Sequence, residues 1–208
     1  MSIQNMKAKV IRARNPKTPL IELPFPISPT LRLVQLSSGP KFANVQPFVP
    51  KRWSDLQLFA AQVVIGSLSQ VLRLADRAAA GSFDASSIDH ALVILTRCGA
   101  QPLTDIRRVT LWQSFGVPLF ELYLGLDHSL LAAECEAHEG WHLASGIAFA
   151  TLDSGELILD GAGNSGLRTG LSAYLEEQAA CACGRSSLRL LEIELLARAD
   201  SRSLAASA

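Results

Sequence analysis

Two short stretches concentrate the side chains that could do chemistry. Glu134-Cys-Glu-Ala-His-Glu-Gly-Trp-His142 and Cys181-Ala-Cys-Gly-Arg185 hold three of the chain's four cysteines and two of its four histidines. Thiolate and imidazole are the donors a tetrahedral zinc ion takes, and a closed set of four is the structural kind of site. Cys181 and Cys183 can both reach one ion if Gly184 lets the backbone curl back. Cys135 and His142 would supply the other two donors from either side of a turn at Glu139-Gly140. His138 is the alternate ligand, and Cys98 lies apart from both stretches. The same residues read equally well as core, because free cysteine is among the most buried residue types. A Cys181–Cys183 disulfide is disfavoured by the tightness of its loop. Asp127 beside His128 is an acid–base couple by residue type, though such loop neighbours more often stand idle.

The elements that must position these residues follow from pattern. Prolines at 19, 24, 26 and 29 force extended backbone over 20–29. Leu31–Leu36 reads as a strand ending at the turn Ser37-Ser38-Gly39-Pro40, and Phe42–Val49 as a second strand. Ser54 with Gln57 suggests a capping box. Apolar residues at helical spacing then predict one long helix over 55–79. Ser86 or Ser87 opens a second predicted helix through Ile88, Ala91, Leu92 and Leu95, ended by Gly99. Thr104 caps a third, with Ile106, Val109, Trp112 and Phe115 facing inward and Gly116 past its end. Val117–Leu124 reads as a buried strand. Beyond it come short strands at 130–135, 142–152, 156–159 and 174–177, a hairpin turn at 153–155, and a last strand over 188–196.

The reading is therefore α/β (α+β) in class, with an N-terminal arm over 1–29, an α/β part over 30–128, a β-rich lobe over 129–200 and a frayed tail at 201–208. With 208 residues and 49% hydrophobic content, the chain can bury a core. Its formal net charge is zero, which argues against a dominant nucleic-acid or membrane-surface role, although residues 1–19 carry Lys7, Lys9, Arg12, Arg14 and Lys17 with no acid. No apolar run is long enough to span a bilayer, and no secretory signal opens the chain. Four unevenly spaced cysteines then fit a cytoplasmic protein.

Read in order, these pieces resemble the adenylate-forming (ANL) superfamily, in its phenylacetate–CoA ligase-like branch. Gly99-Ala-Gln-Pro-Leu-Thr104 with Arg107 and Arg108 resembles the family's "GAEPLT…R". Glu121-Leu-Tyr123-Leu-Gly125 resembles "YG-TE", and Glu134–His142 resembles the "EC…G-H" hairpin. Gly155-Glu-Leu-Ile-Leu resembles "GELV", Arg168-Thr169-Gly170 stands where "YRTGD" is expected, and Cys181–Arg185 resembles "CPCGR". Ala197–Asp200 echoes "GRxDD", and Gln35–Pro40 is similar to a worn "SSGTTGKP" phosphate loop. The resemblance implies the large domain of such a ligase in shortened form, with Cys135, His142, Cys181 and Cys183 as its zinc set. It also implies a nucleotide site at Ser37, Ser38, Gly39, Tyr123, Asp127 and Arg168.

The departures bear on activity. Family members join a carboxylic acid to ATP and pass the acyl-adenylate to coenzyme A. Backbone amides of a Gly-rich loop and a lysine must meet the phosphates. Here that loop is reduced to Ser37-Ser38-Gly39-Pro40, with only Lys41 near. Asp127-His128 replace the Thr-Glu pair, and Leu171 replaces the ribose-binding aspartate. The family's C-terminal domain and its lysine find no counterpart. The expectation is a non-catalytic zinc-binding relative that binds a partner protein or a small carboxylic acid. The alternative is a minimal or split AMP-forming carboxylate–CoA ligase using ATP and CoA.

Overall fold

The computed structural model describes residues 20–153, 155–161, 164–176 and 180–196. The basic arm, Ala197–Asp200 and the tail lie outside them. The first strand, β1, is Leu33–Gln35, reached by an extended segment in which Ile21 bridges to Phe42. The predicted second strand over 42–49 is instead a loop with isolated bridges, Phe42 to Val45 and Phe48 to Val34.

The predicted helix over 55–79 is three elements: α1 (Trp53–Phe59), β2 (Val63–Gly66) and α2 (Leu68–Ala79). An unbroken apolar run satisfies helical and strand spacing alike, so periodicity could not separate them. Val63, Val64 and Ile65 are β-branched and wholly buried, which favours a central strand. Ala60 ends α1 in the left-handed region, φ 49°. Asp55, not Gln57, reaches back at the start of α1, accepting from the Arg52 amide at 3.0 Å. Gln57 instead accepts from the Asp84 amide at 2.9 Å. Ser67 then caps α2, its amide donating to Gln70 Oε1 at 2.9 Å.

The predicted second helix is also a strand, β3 (Ala91–Arg97). Both its faces are covered, so its sequence reads as continuous rather than alternating hydrophobicity. The third helix is α3 (Asp105–Phe115), capped by Thr104 and ended by Gly116 at φ 66°. Its orientation differs from expectation. Leu111 is the buried residue, while Ile106, Val109 and Trp112 are 78%, 54% and 54% exposed.

β4 (Leu119–Leu124) continues the parallel set β1-β2-β3-β4. β5 (Leu130–Glu134), β6 (Trp141–Leu143), β11 (Arg189–Leu195) and β10 (Leu171–Glu176) then join antiparallel, giving an eight-stranded sheet. β7 (Ile147–Asp153), β8 (Glu156–Gly161) and β9 (Asn164–Arg168) form a separate three-stranded sheet, whose β7–β8 hairpin pairs Asp153 with Glu156. The class is mixed α and β, rich in sheet. No described helix is long and apolar enough to cross a membrane.

Three apolar clusters hold this together. Val71 and Leu74 of α2 and Leu111 of α3 pack on Val64, Leu92 and Ile94. On the opposite face, Ile21, Leu23 and Phe42 cover Val63, Ile65, Val93 and Phe120. A smaller cluster of Tyr123, Leu131, Trp141, Leu157, Leu159, Leu171 and Leu190 joins the two sheets.

Candidate metal centre and neighbouring crevice

Cys135 follows the last residue of β5, and His142 lies in β6, so the antiparallel pairing of Glu134 with Trp141 brings the two side by side. The connecting turn passes against β11. A Cβ on Gly140 would stand 2.5 Å from the Leu190 carbonyl oxygen, and φ there is 93°, so only glycine fits. β11 in turn pairs Arg189 with His142. The loop before β11 delivers Cys181 and Cys183, with Gly184 at φ 78° and its amide donating to the Cys181 carbonyl at 2.9 Å.

The result is a cluster of four donor atoms, from Cys135, His142, Cys181 and Cys183, all within 4.8 Å of one another. Cys135 Sγ stands 3.5 Å from Cys181 Sγ, and Cys183 Sγ stands 3.5 Å from His142 Nε2. With metal–sulfur bonds of about 2.3 Å, the edge of a tetrahedral zinc site is about 3.7 Å. The donor set fits that size. His142 Nδ1 lies 2.9 Å from Ser187 Oγ, a contact that leaves Nε2 free to face the thiols. Burial, then the positive charges of Arg185 and Arg189, lower the His142 pKa, which favours the neutral ring with its lone pair. Burial raises the Cys135 thiol to about 11. At Cys183 burial also opposes ionisation, but the Arg185 amide and the neighbouring thiols outweigh it and hold that thiol below its ordinary value.

Around the cluster lies a carboxylate–arginine clamp. Glu139 Oε2 accepts from Arg189 Nη1 at 2.7 Å and lies 3.6 Å from Cys181 Sγ. Arg189 also pairs with Glu176 of β10. His138 is not part of the cluster. Its Nδ1 faces Glu134 Oε1 at 3.3 Å and its ring stacks on Phe120 with centroids 5.0 Å apart.

The second feature is a crevice of about 400 Å³ at the carboxyl ends of the parallel strands, where open α/β sheets bind ligands. Ser37, Ser38 and Gly39 line it, opposite Ser67, Arg97 and His128. Gly39 brings its backbone close to the Gln35 side chain: a Cβ there would stand 2.5 Å from Gln35 Nε2, which would have to move aside. The other three nucleotide-site candidates do not line this crevice. Tyr123 is fully buried, its hydroxyl donating to the Thr169 carbonyl at 3.3 Å and its ring stacked on Trp141. Asp127 Oδ1 accepts from the Ser129 amide and hydroxyl at 3.0 and 2.6 Å. Arg168, on β9, donates to Asp153 at 2.9 Å and to Glu156 at 2.8 Å.

Sequence reasoning passed over a buried charge network. Glu121 of β4 accepts from Thr96 Oγ1 and from the Leu103 amide at 2.9 Å. Glu134 accepts from the Glu121 amide at 2.9 Å and pairs with Arg108 at 3.0 Å. Burial raises the Glu121 carboxyl to about 7, against the pull of its hydrogen bonds and Arg108. One signal was available: Glu121 interrupts the apolar run Leu119-Phe-Glu-Leu-Tyr-Leu124.

No protein-family model matches this chain, and no curated protein matches its sequence. Solved structures do. An open conformation of 2-hydroxyisobutyryl-CoA ligase in complex with 2-HIB-AMP and CoA superposes with a TM-score of 0.60 at 14% identity, over 77% of this chain and 46% of that one. The same ligase in the thioesterification state gives 0.59 at 13% identity, over 78% and 43%. The fold is similar to that of part of this ligase. A third structure, the postadenylation state with R3-HIB-AMP, gives 0.59 at 12% identity over 76% and 42%. The chain thus spans less than half the length of these ligase structures.

Proposed function

We propose that this chain is a non-catalytic, zinc-stapled relative of the phenylacetate–CoA ligase-like adenylate-forming enzymes, acting by binding. Its target would be a partner protein or, in the crevice beside Ser37–Gly39, a small carboxylic acid. The observation that carries the metal part is the set of four donors within 4.8 Å, of a size that fits tetrahedral zinc. Cys135, His142, Cys181 and Cys183 would hold the ion. A closed four-donor set leaves no position for water, so the ion would brace β5, β6 and the loop before β11 rather than activate a nucleophile.

Three placements support a binding rather than a ligating role. Leu171, in the place of the ribose-binding aspartate, is fully buried and offers no acceptor. Arg168 is engaged by two carboxylates, and Asp127 by Ser129. Phosphoryl chemistry depends on preorganised charge at the phosphates, and these side chains are turned to other partners. Elemental analysis of the purified protein, with ATP calorimetry and a pyrophosphate-release assay on aryl and fatty acids, tests the reading. About one zinc per chain with neither ATP binding nor pyrophosphate is the expected result. Pyrophosphate release would sink the non-catalytic half and favour a minimal or split ligase. A metal-free, fully folded protein would return the four residues to the core.

A further inference from the structure

A cavity of about 880 Å³ lies between α3 and β11; it borders the β5–β6 turn, but none of the four cluster donors and none of the crevice residues lines it. Its apolar wall includes Val109 and Trp112, exposed on α3, and Ile193 of β11. Its charges are unbalanced. Arg108 is engaged by Glu134 at 3.0 Å and stands 3.7 Å from Glu121. Asp105, Glu192 and Glu194 also line the cavity, and none of them has a cation within ion-pair distance among the described residues. The edge of β11 is open there. Among the described residues its ladder with β6 holds only Arg189 and Leu190, and Glu192–Leu195 have no strand on that side. Glu192 adopts φ 50°, an uncommon conformation for a residue with a side chain, at an irregularity in the β10–β11 pairing. An apolar wall, an acidic rim and an unpaired strand edge together suit an extended segment that alternates cations with apolar residues.

The chain carries such a segment. Residues 1–19 hold Lys7, Lys9, Arg12, Arg14 and Lys17, no acid, and Ala8, Val10, Ile11 and Ala13 interleaved. We propose that this basic arm docks in the α3–β11 cavity of its own chain, its cations meeting Asp105, Glu192 and Glu194 and its apolar residues meeting Val109, Trp112 and Ile193. Spacing is compatible: Lys7 and Lys9, or Arg12 and Arg14, are two apart, as are Glu192 and Glu194, and residues two apart share a face of an extended chain. Reach is ample. Phe25 packs on Phe120 at 5.2 Å between centroids, and Phe120 stacks on His138, which lines the cavity. From Leu20, a segment of this length spans up to about 60 Å when extended. Docking would cover the apolar face that α3 leaves open.

Hydrogen exchange on the full chain tests this, read over α3 and β11. Three proteins are compared at low salt: the wild type, a variant with Lys7, Lys9, Arg12 and Arg14 changed to Gln, and a variant with Glu192→Gln and Glu194→Gln. All changes are at exposed positions or in the arm, so the fold persists. Both variants are expected to exchange about three to ten times faster than wild type in those two segments, with β2 and β3 unchanged. Salt at about 0.5 M is expected to bring the wild type to the variants' rates. Equal rates in all three proteins would overturn the proposal. So would an effect of the glutamate variant alone, which would assign the cavity to another occupant. Protection that grows with protein concentration would overturn docking in cis and favour the arm of a second copy.

Discussion

The parallel strands β1–β4 are buried on both faces, whereas β5–β11 share one small apolar cluster and depend on polar clips. Among the described residues, fifteen and twelve buried ones form the two clusters about the parallel strands, against eight in the cluster that joins the sheets, so the lobe has less burial to set against chain entropy. What it has instead is the Cys/His cluster, the Glu139–Arg189–Glu176 clamp and the Arg168 pairs. The contrast teaches that the two regions should fail in different ways. The parallel half should respond to lost volume, and the lobe to lost donors.

The largest effect is expected from Cys181→Ser. Structural zinc supplies on the order of 10 kcal/mol to small domains that bind it. Metal content should fall from about one zinc per chain to a small fraction. Exchange protection should collapse in β6, β10 and β11 while β2 and β3 keep theirs. A chelator should reproduce this in the wild type. Equal loss of protection in both halves would erase the distinction between the two regions. Next comes the converse, Leu92→Ala in β3. Leu92 is fully buried between the helices and the sheet, and its truncation should cost about 3 kcal/mol in urea unfolding. Metal content of the folded protein should not change.

Arg189→Gln sharpens the comparison inside the lobe. It leaves Glu139 and Glu176 without their shared cation, beside the loop that carries Cys181. Partners behind metal ligands typically tune affinity by a factor of about ten or more. A competition titration with a chromophoric chelator should show a loss of that size, with the donors intact. Unchanged affinity would make the clamp a support of β10 and β11 only.

Legibility followed the same divide. The lobe's Cys/His cluster was readable because cysteine and histidine are rare, with Cys135 and His142 on either side of the turn at Gly140 and Cys181 and Cys183 just before Gly184. Of the strands about them, β5, β8 and β11 were readable from short apolar stretches between turns, but 142–152 was read as one strand where β6 and β7 lie in different sheets, and β9 was passed over. The parallel half was misread where burial is most complete. Val63–Gly66 and residues 91–95 are apolar throughout, so they matched helical spacing by default, and only β-branching, at Val63, Val64, Ile65, Val93 and Ile94, pointed the other way. The inward face assigned to α3 holds at Phe115, which packs against the core, but fails at Ile106, Val109 and Trp112, a regular stripe that stays exposed. The clamp at Arg189 was invisible because its partners lie 50 and 13 residues away.

The smallest effect lies where the two regions meet. Glu121 belongs to the last parallel strand, and its amide donates to Glu134 of the first antiparallel one. Its carboxyl sits at about 7 in the folded protein because burial disfavours the charge, against an ordinary value of 4.5. The folded state therefore binds the proton more tightly than the unfolded chain. The stabilising contribution of the neutral acid is fully present below about pH 4.5 and is lost as pH rises through about 7. Glu121→Gln keeps acceptors for Thr96 and the Leu103 amide but never ionises. At pH 8 the variant should be more stable than wild type by on the order of 1 kcal/mol in urea unfolding, and the gap should close at about pH 5. A variant less stable at pH 8 would mean that the ionised carboxylate is held by Arg108 and that the junction is a fourth polar clip, extending the lobe's mode of stabilisation into the parallel sheet.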